Sequence, residues 1–446
     1  KLMITLTING RRRELEGPTR LIEFLQSSGV NLQFIAVAHN GEVVDREEFP
    51  QIVLNEGDEV EVVRPVGGGE TREGSKVASN NHVIIVGGGV IGCSIAYHLA
   101  GAGVRVTLVE RGKLGSGASH VAAGMVAALS EGFTEGEPLK LALESHALLQ
   151  EMLPQLQKES GINVEYLCPG ILHLALTQED EKNLSTRLKW QEPLNMGVRW
   201  LDAQETCRME PALREGIRGA LFSPQEGHLN SRRLVRAFAQ GAARRGATLL
   251  QDTEVKSLLY RQNRVRGVRL TSGDLEADWV VMASGAWTGQ YSDWLRMDIP
   301  VLPVKGQIVA ARILPPPIST IVWHGISYLV PKADGSIVIG TTREEVGFND
   351  RATIQGIAGM LSSAIDIVPA VAEAELHRVW AGLRPSSPDE IPILGPVDGW
   401  EGVLMAVGHY RSGILLSPAT GKRIRDYIVR GEETPLLPFG LSRFAM

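Results

Sequence analysis

The chain is poor in cysteine and carries no excess of positive charge. Only Cys93, Cys168 and Cys207 occur in 446 residues. Their spacing fits neither a metal site nor a disulfide framework, so they read as reduced, space-filling residues of a cytoplasmic protein. The formal net charge is −6, which gives a nucleic-acid partner no electrostatic support. The opening stretch KLMITLTING lacks the basic-then-apolar pattern of a secretory signal. No uninterrupted apolar run reaches membrane-spanning length: residues 83–109 come nearest, but glycines, His98 and Arg105 break them. Serines and histidines show no triad spacing, and no catalytic carboxylate pair stands out.

The sequence does contain two triple-glycine runs, Gly67-Gly68-Gly69 and Gly87-Gly88-Gly89, in different settings. The first closes a small acidic segment. Residues 1–69 hold 7 Lys+Arg against 11 Asp+Glu, which fits a basic partner face or simply a solvated acidic surface. Met3 to Ile8 alternates as a strand, and Asn9-Gly10 is a hairpin signal before Arg12 to Glu16. Leu21, Ile22 and Leu25 share one helix face, with Gly29 as the stop. Phe34 to Ala38 follows as a strand, Asn40-Gly41 turns the chain, and Val43-Val44 returns. Glu59 to Val63 is the last strand. The ββαββ order is that of a β-grasp, ubiquitin-like fold. ETREGSKVASNN, residues 70–81, has no periodicity and reads as a linker spanning at most about 40 Å.

The second run follows the apolar strand His82 to Val86. Gly87, Gly89 and Gly92 fit G-x-G-x-x-G, a helix follows over Cys93 to Ala100, and Val104 to Val109 leads to Glu110. Between a strand and a helix, with an acid 18 positions after the third glycine, this pattern points strongly to a dinucleotide cradle. Its amides can meet a pyrophosphate, and Glu110 can take ribose hydroxyls. NAD and FAD share the pattern. The small-residue loop SGASHVAAGM (116–125), the strand-to-small-residue segment DWVVMASGAWTG (278–289) and the turn GHYRSGI (408–414) favour FAD.

With these motifs in place, residues 3–69 resemble the ThiS sulfur carrier family, through the NG-turned strands and the PVGGG end. Residues 82–430 resemble the ThiO glycine oxidases of the D-amino-acid oxidase superfamily, through GGGVIG, AAGM, PVKGQ, YLVPK, WAGLRP and GHYRSGILLSPATG. Both families serve thiazole formation, so the whole chain resembles a ThiS–ThiO fusion. In the carrier family the last glycine ends the chain as a thiocarboxylate, whereas Gly69 here is bonded to Glu70.

The resemblance implies an α+β protein: a β-grasp domain (1–69), a linker (70–81) and an FAD-binding Rossmann-like domain interleaved with an antiparallel substrate sheet. The FAD-binding parts are then 82–160, 226–295 and 346–446, and the substrate parts 161–225 and 296–345. It implies oxidation of glycine with O2 as acceptor, non-covalent FAD (no cysteine follows Cys207), no metal, a tetramer, and partnership with a carrier-activating enzyme and thiazole synthase. Arg384 is the implied carboxylate anchor, Tyr328 a second bond to the substrate, and Arg411 a neighbour of it. The alternatives for these three are a structural ion pair, a sheet-surface aromatic and a surface ion pair. The implied FAD contacts are Gly87, Gly89, Val90, Ile91, Gly92, Glu110, Arg111, Ala118, Ser119, Ala123, Gly124, Met125, Val255 and Gly285. At the C-terminal turn they are Gly408, His409, Tyr410, Arg411, Ser412, Gly413 and Ile414. Arg343, after Thr341-Thr342, reads as solvent-facing, the alternative being entry into the pocket with tolerance of a second substrate charge. A sarcosine or broader D-amino-acid oxidase, and a non-catalytic scaffold for the carrier, are the competing readings.

Overall fold

A computed structural model of the chain describes residues 3–8, 11–15, 17–27, 36–44, 48–63 and 81–444. The chain divides into two compact units, Lys1–Ser75 and Lys76–Met446. The PVGGG end and nearly all of the expected linker lie outside the described residues, as do Asn9-Gly10, Gly29 and Phe34.

In the first unit five strands form one sheet in the spatial order Arg11–Leu15, Ile4–Ile8, Glu59–Val63, Ala36–His39, Glu42–Val44. The last strand in sequence is central: it runs parallel to Ile4–Ile8 and antiparallel to Ala36–His39. Asn40 and Gly41 both take positive φ (53° and 85°), the conformation a two-residue hairpin turn requires. The helix Leu21–Ser27 buries Leu21, Phe24 and Leu25 against Ile4, Leu6, Val37 and Val60. Phe24, rather than the half-buried Ile22, completes the apolar face, because the i, i+3, i+4 spacing brings it alongside Leu21 and Leu25.

The second unit is built on two large sheets, with two smaller ones beside them among the described residues. The first runs Thr248–Leu250, Arg105–Val109, His82–Val86, Trp279–Met282, Val403–Val407, Ile393–Pro396; only the final pair is antiparallel. Its central strand His82–Val86 (HVIIV) is buried at every position, as a sheet covered on both faces demands. The fingerprint helix begins at Val90, three residues earlier than its apolar run implies, and extends to Gly101. It is buried almost throughout and packs against Gly413–Arg430 and Ser231–Arg244.

The second sheet has eight strands, mostly antiparallel: Arg199–Asp202, Gly219–Ser223, Ile171–Ala175, Ile321–His324, Ser327–Pro331, Ser336–Gly340, Leu302–Arg312, Glu375–Ser386. One expected boundary is corrected here. Residues 346–446 do not all accompany the parallel sheet: Glu375–Ser386 is the edge strand of the antiparallel one, paired along Leu302–Arg312. The two strands lie far apart in sequence, and no local pattern reveals such a pairing. A second correction concerns cysteine. Cys93 is buried as expected, but Cys168 and Cys207 are exposed and fill no core space. Among the described residues, no helix is long and apolar enough to cross a membrane.

Candidate functional site

A cavity of about 380 Å³ opens between the two sheets of the second unit. At one end the strand His82–Val86 turns at Gly87. There φ is 117°, and a Cβ would overlap the Ala283 carbonyl, so only glycine fits. Two long helices, Val90–Gly101 and Gly413–Arg430, start at the cavity lining; neither is capped by its own N-cap side chain, and the Val90 amide donates to Ser119 Oγ at 3.0 Å. Their first amides and dipoles therefore favour anionic or electron-rich groups. Glu110 accepts hydrogen bonds from the Gly88 and Gly112 amides at 2.7 and 2.8 Å. These bonds fix the carboxylate and leave acceptor capacity for hydroxyls. Arg111 stacks over Trp287 at 4.3 Å on the same wall.

At the other end the antiparallel sheet contributes Tyr328 from Ser327–Pro331, Thr341 after Ser336–Gly340, and Arg384 from Glu375–Ser386. Arg384 donates to the Thr342 carbonyl at 3.1 Å and to the Thr341 hydroxyl. That hydroxyl in turn donates to the Gln307 carbonyl at 3.3 Å. Gly306 lies in the neighbouring strand where any Cβ would overlap the Arg384 guanidinium. Burial pulls Arg384 below the ordinary guanidinium value and pushes the Tyr328 phenol up. Both groups therefore keep their protons at neutral pH: a fixed cation and a neutral donor.

Arg411 comes from the turn before Gly413–Arg430, where Tyr410 has φ 44° and its backbone N–H donates to the Pro385 carbonyl at 2.7 Å. Its Nε lies 3.2 Å from Oε2 of Glu131, whose side chain is 4% exposed. The N–H is not aimed at that oxygen, so the pair is ionic without a directed hydrogen bond. Burial pushes the Glu131 carboxyl up, and the charges of Arg411 and Arg384 pull it partly back. The Glu131 charge in turn holds Arg411 above its usual value.

The segment bearing Glu131 is clamped. Glu226 accepts from the Leu129 and Ser130 amides at 2.5 and 3.2 Å, and Arg187 and Gln191 donate to the Leu129 carbonyl at 2.7 and 2.9 Å. On the opposite side of the small-residue loop, the buried Lys332 ammonium donates to the Ala123 and Leu229 carbonyls. Burial lowers that ammonium to about 7.

A family model described as FAD dependent oxidoreductase matches residues 82–427. The chain belongs to that family. A ThiS family model matches residues 6–69 at the other end, so the FAD dependent oxidoreductase part is joined to a ThiS-family segment. The chain is 37% identical to a glycine oxidase of Geobacillus kaustophilus (81% of this chain, 96% of the relative). It is 35% identical to a bifunctional ThiO/ThiG protein of Trichormus variabilis, covering 81% of this chain and 55% of that protein. A crystal structure of the G. kaustophilus glycine oxidase superposes with a TM-score of 0.78 at 36% identity, over 82% of this chain and 99% of the other.

The cofactor of this FAD dependent oxidoreductase is FAD, and the cavity suits it. It joins a glycine turn, two helix starts and a carboxylate fixed by two backbone amides in one space. Of the residues implied by sequence, Gly87, Gly89, Val90, Ile91, Glu110, Arg111, Ala118, Ser119, Ala123, Gly124, Met125, Val255, Gly285, His409, Tyr410, Arg411, Gly413 and Ile414 line it, together with Arg384 and Tyr328. Gly92, Gly408 and Ser412 do not. A Cβ at Gly92 would strike the Gly87 carbonyl, so this glycine packs helix against strand and lies behind the wall. Gly408 (φ 73°) shapes the turn, and Ser412 is buried within it. Arg343 is 54% exposed and paired with Glu390 and Glu345.

Sequence reasoning missed Glu131, Thr341 and Trp287. Glu131 had a usable signal: it is the single acid ending the apolar run AAGMVAALSE. Thr341 and Trp287 had none.

Proposed function

We propose that the chain oxidises glycine at this cavity and carries a sulfur-carrier segment for the same biosynthetic step, thiazole formation. The observation that carries the reading is the meeting of Arg384, Tyr328 and Thr341 at one end of a cavity whose other end is the dinucleotide cradle. A part-buried guanidinium with two donors spent on Thr341 and Thr342 has others free for a carboxylate, and its planar fork suits that shape. The Tyr328 phenol adds a second donor. Both side chains are fixed by neighbours, so the substrate is placed rather than merely bound.

When bound, FAD supplies the two-electron acceptor that the oxidation requires. The chain's own residues hold the carboxylate and exclude bulk water. No side chain need move a proton from Cα. Glycine, O2 and water give glyoxylate, ammonia and hydrogen peroxide once the first product, the imine, hydrolyses. An intact imine is the form that thiazole synthase would use, and glycine-oxidase and ThiO/ThiG relatives support that setting.

The test is oxygen uptake by the FAD-loaded chain with glycine, sarcosine and D-alanine, with peroxide and glyoxylate assayed together. Glycine turnover with equal yields of peroxide and glyoxylate is expected. Uptake with D-alanine or sarcosine but not glycine would replace this reading with the broader oxidase. FAD binding without uptake on any of the three would leave a scaffold.

A further inference from the structure

The substrate end of the cavity holds two part-buried guanidiniums, Arg384 and Arg411, and glycine has one carboxylate. An unmatched second cation would invite a second anion into the site. Glu131 faces Arg411 at 3.2 Å from the same cavity wall, 4% exposed, with its Oε2 given no directed hydrogen bond. Arg343 adds no charge here: it is half-exposed, 3.1 Å from Glu390. Asp350 reaches the cavity from an exposed segment, where water screens it.

We propose that Glu131 is a specificity-determining residue: by pairing with Arg411 it leaves Arg384 as the one unmatched guanidinium and restricts the site to ligands with a single carboxylate. The inference rests on the glycine-oxidising reading of the cavity, since it concerns the same substrate end. The Glu226 clamp on Leu129 and Ser130 gives it a structural basis, because a buried network fixes the backbone that leads directly into Glu131. Charges at this separation in a partly dry site interact strongly enough to change anion affinity by roughly 10-fold or more.

The experiment titrates acetate and malonate onto the FAD-loaded chain and follows the flavin absorbance, so it needs no turnover. The unaltered chain should bind malonate no more tightly than acetate. In Glu131→Gln the malonate-to-acetate affinity ratio should rise about 10-fold or more. A ratio unchanged within about twofold overturns the proposal. If Glu131→Gln does not hold FAD, Arg411→Met decides. With Glu131 unmatched beside Arg384, acetate affinity should fall about 10-fold, and Glu131→Gln/Arg411→Met should restore it. If acetate binding is unaffected in Arg411→Met, or stays weak in the double variant, Glu131 does not set the charge balance. A chain that shows the expected ratios but takes up no oxygen with glycine contradicts the functional reading and leaves this one standing.

Discussion

The Arg384 guanidinium crosses diagonally to Gly306 on the paired strand, two positions from its register partner Val304, and occupies the space that any side chain at 306 would fill. The anchor is thus positioned by an absence of atoms on one side and by Thr341 and Thr342 on the other. Arg384→Ala should raise KM for glycine, with some loss of kcat from misplacement. A charge-assisted pair of this kind contributes about 2 kcal/mol or more, so kcat/KM should drop roughly 30-fold or more. Tyr328→Phe should cost less. Gly306→Ala should resemble Arg384→Ala in KM although it touches no substrate. Steady-state kinetics on the three variants check this, and full efficiency in Arg384→Ala would refute the anchor.

FAD should be held without a covalent bond. Acid precipitation of the yellow protein should leave a colourless pellet and a yellow supernatant. Gly87→Val, with its Cβ driven into the Ala283 carbonyl, should purify without flavin. Flavin remaining with the pellet contradicts the first expectation, and normal flavin content in Gly87→Val contradicts the second.

Stability should fall on mild acidification. Burial depresses His98, His228 and His409 to about 3 in the folded chain. The unfolded chain takes up these protons near pH 6.5, so it binds more protons than the folded one between about 3 and 6.5. The stability of the neutral, buried rings is fully present above pH 6.5 and is lost as pH falls towards 3. Glu131 and Glu226, pushed up by burial, act in the opposite direction, so a substitution is needed to separate the effects. His409 hydrogen-bonds the Thr420 hydroxyl at 3.0 Å, a contact glutamine can imitate. His409→Gln should flatten the fall in Tm between pH 6.5 and 5. An identical slope would show that His409 does not contribute.

The Val66-Gly67-Gly68-Gly69 stretch should serve as a carrier terminus after a processing cut. The polar, aperiodic sequence of 70–81 already suits a spacer, so a triple glycine separated by three residues from the central β-grasp strand has another use. Sulfur transfer needs a free glycine carboxylate, which the Gly69–Glu70 bond denies. A chain ending at Gly69, incubated with a carrier-activating enzyme and ATP, should gain a thiocarboxylate mass, and the uncut chain should not. An inert shortened chain beside a reactive control carrier would return the glycines to a linker role.

Much of this was legible from local pattern. The NG turn at Asn40-Gly41, the all-apolar strand at 82–86 and the glycine cradle are encoded within a few residues, because φ preference and strand burial are local properties. The motifs WAGLRP and GHYRSGILLSPATG singled out Arg384 and Arg411 without revealing their surroundings. Three things were decided only in the tertiary structure. Glu375–Ser386 left the parallel sheet's company because its partner, Leu302–Arg312, lies across a long stretch of sequence. Cys168 and Cys207 came to the surface. Glu131 met Arg411 from a distant part of the chain. The sequence by itself determined which backbone turns could form and where a dinucleotide could lie. The balance of charge at the substrate end depends on long-range packing that places an acid and two arginines in one water-poor space, and no spacing rule contains that information.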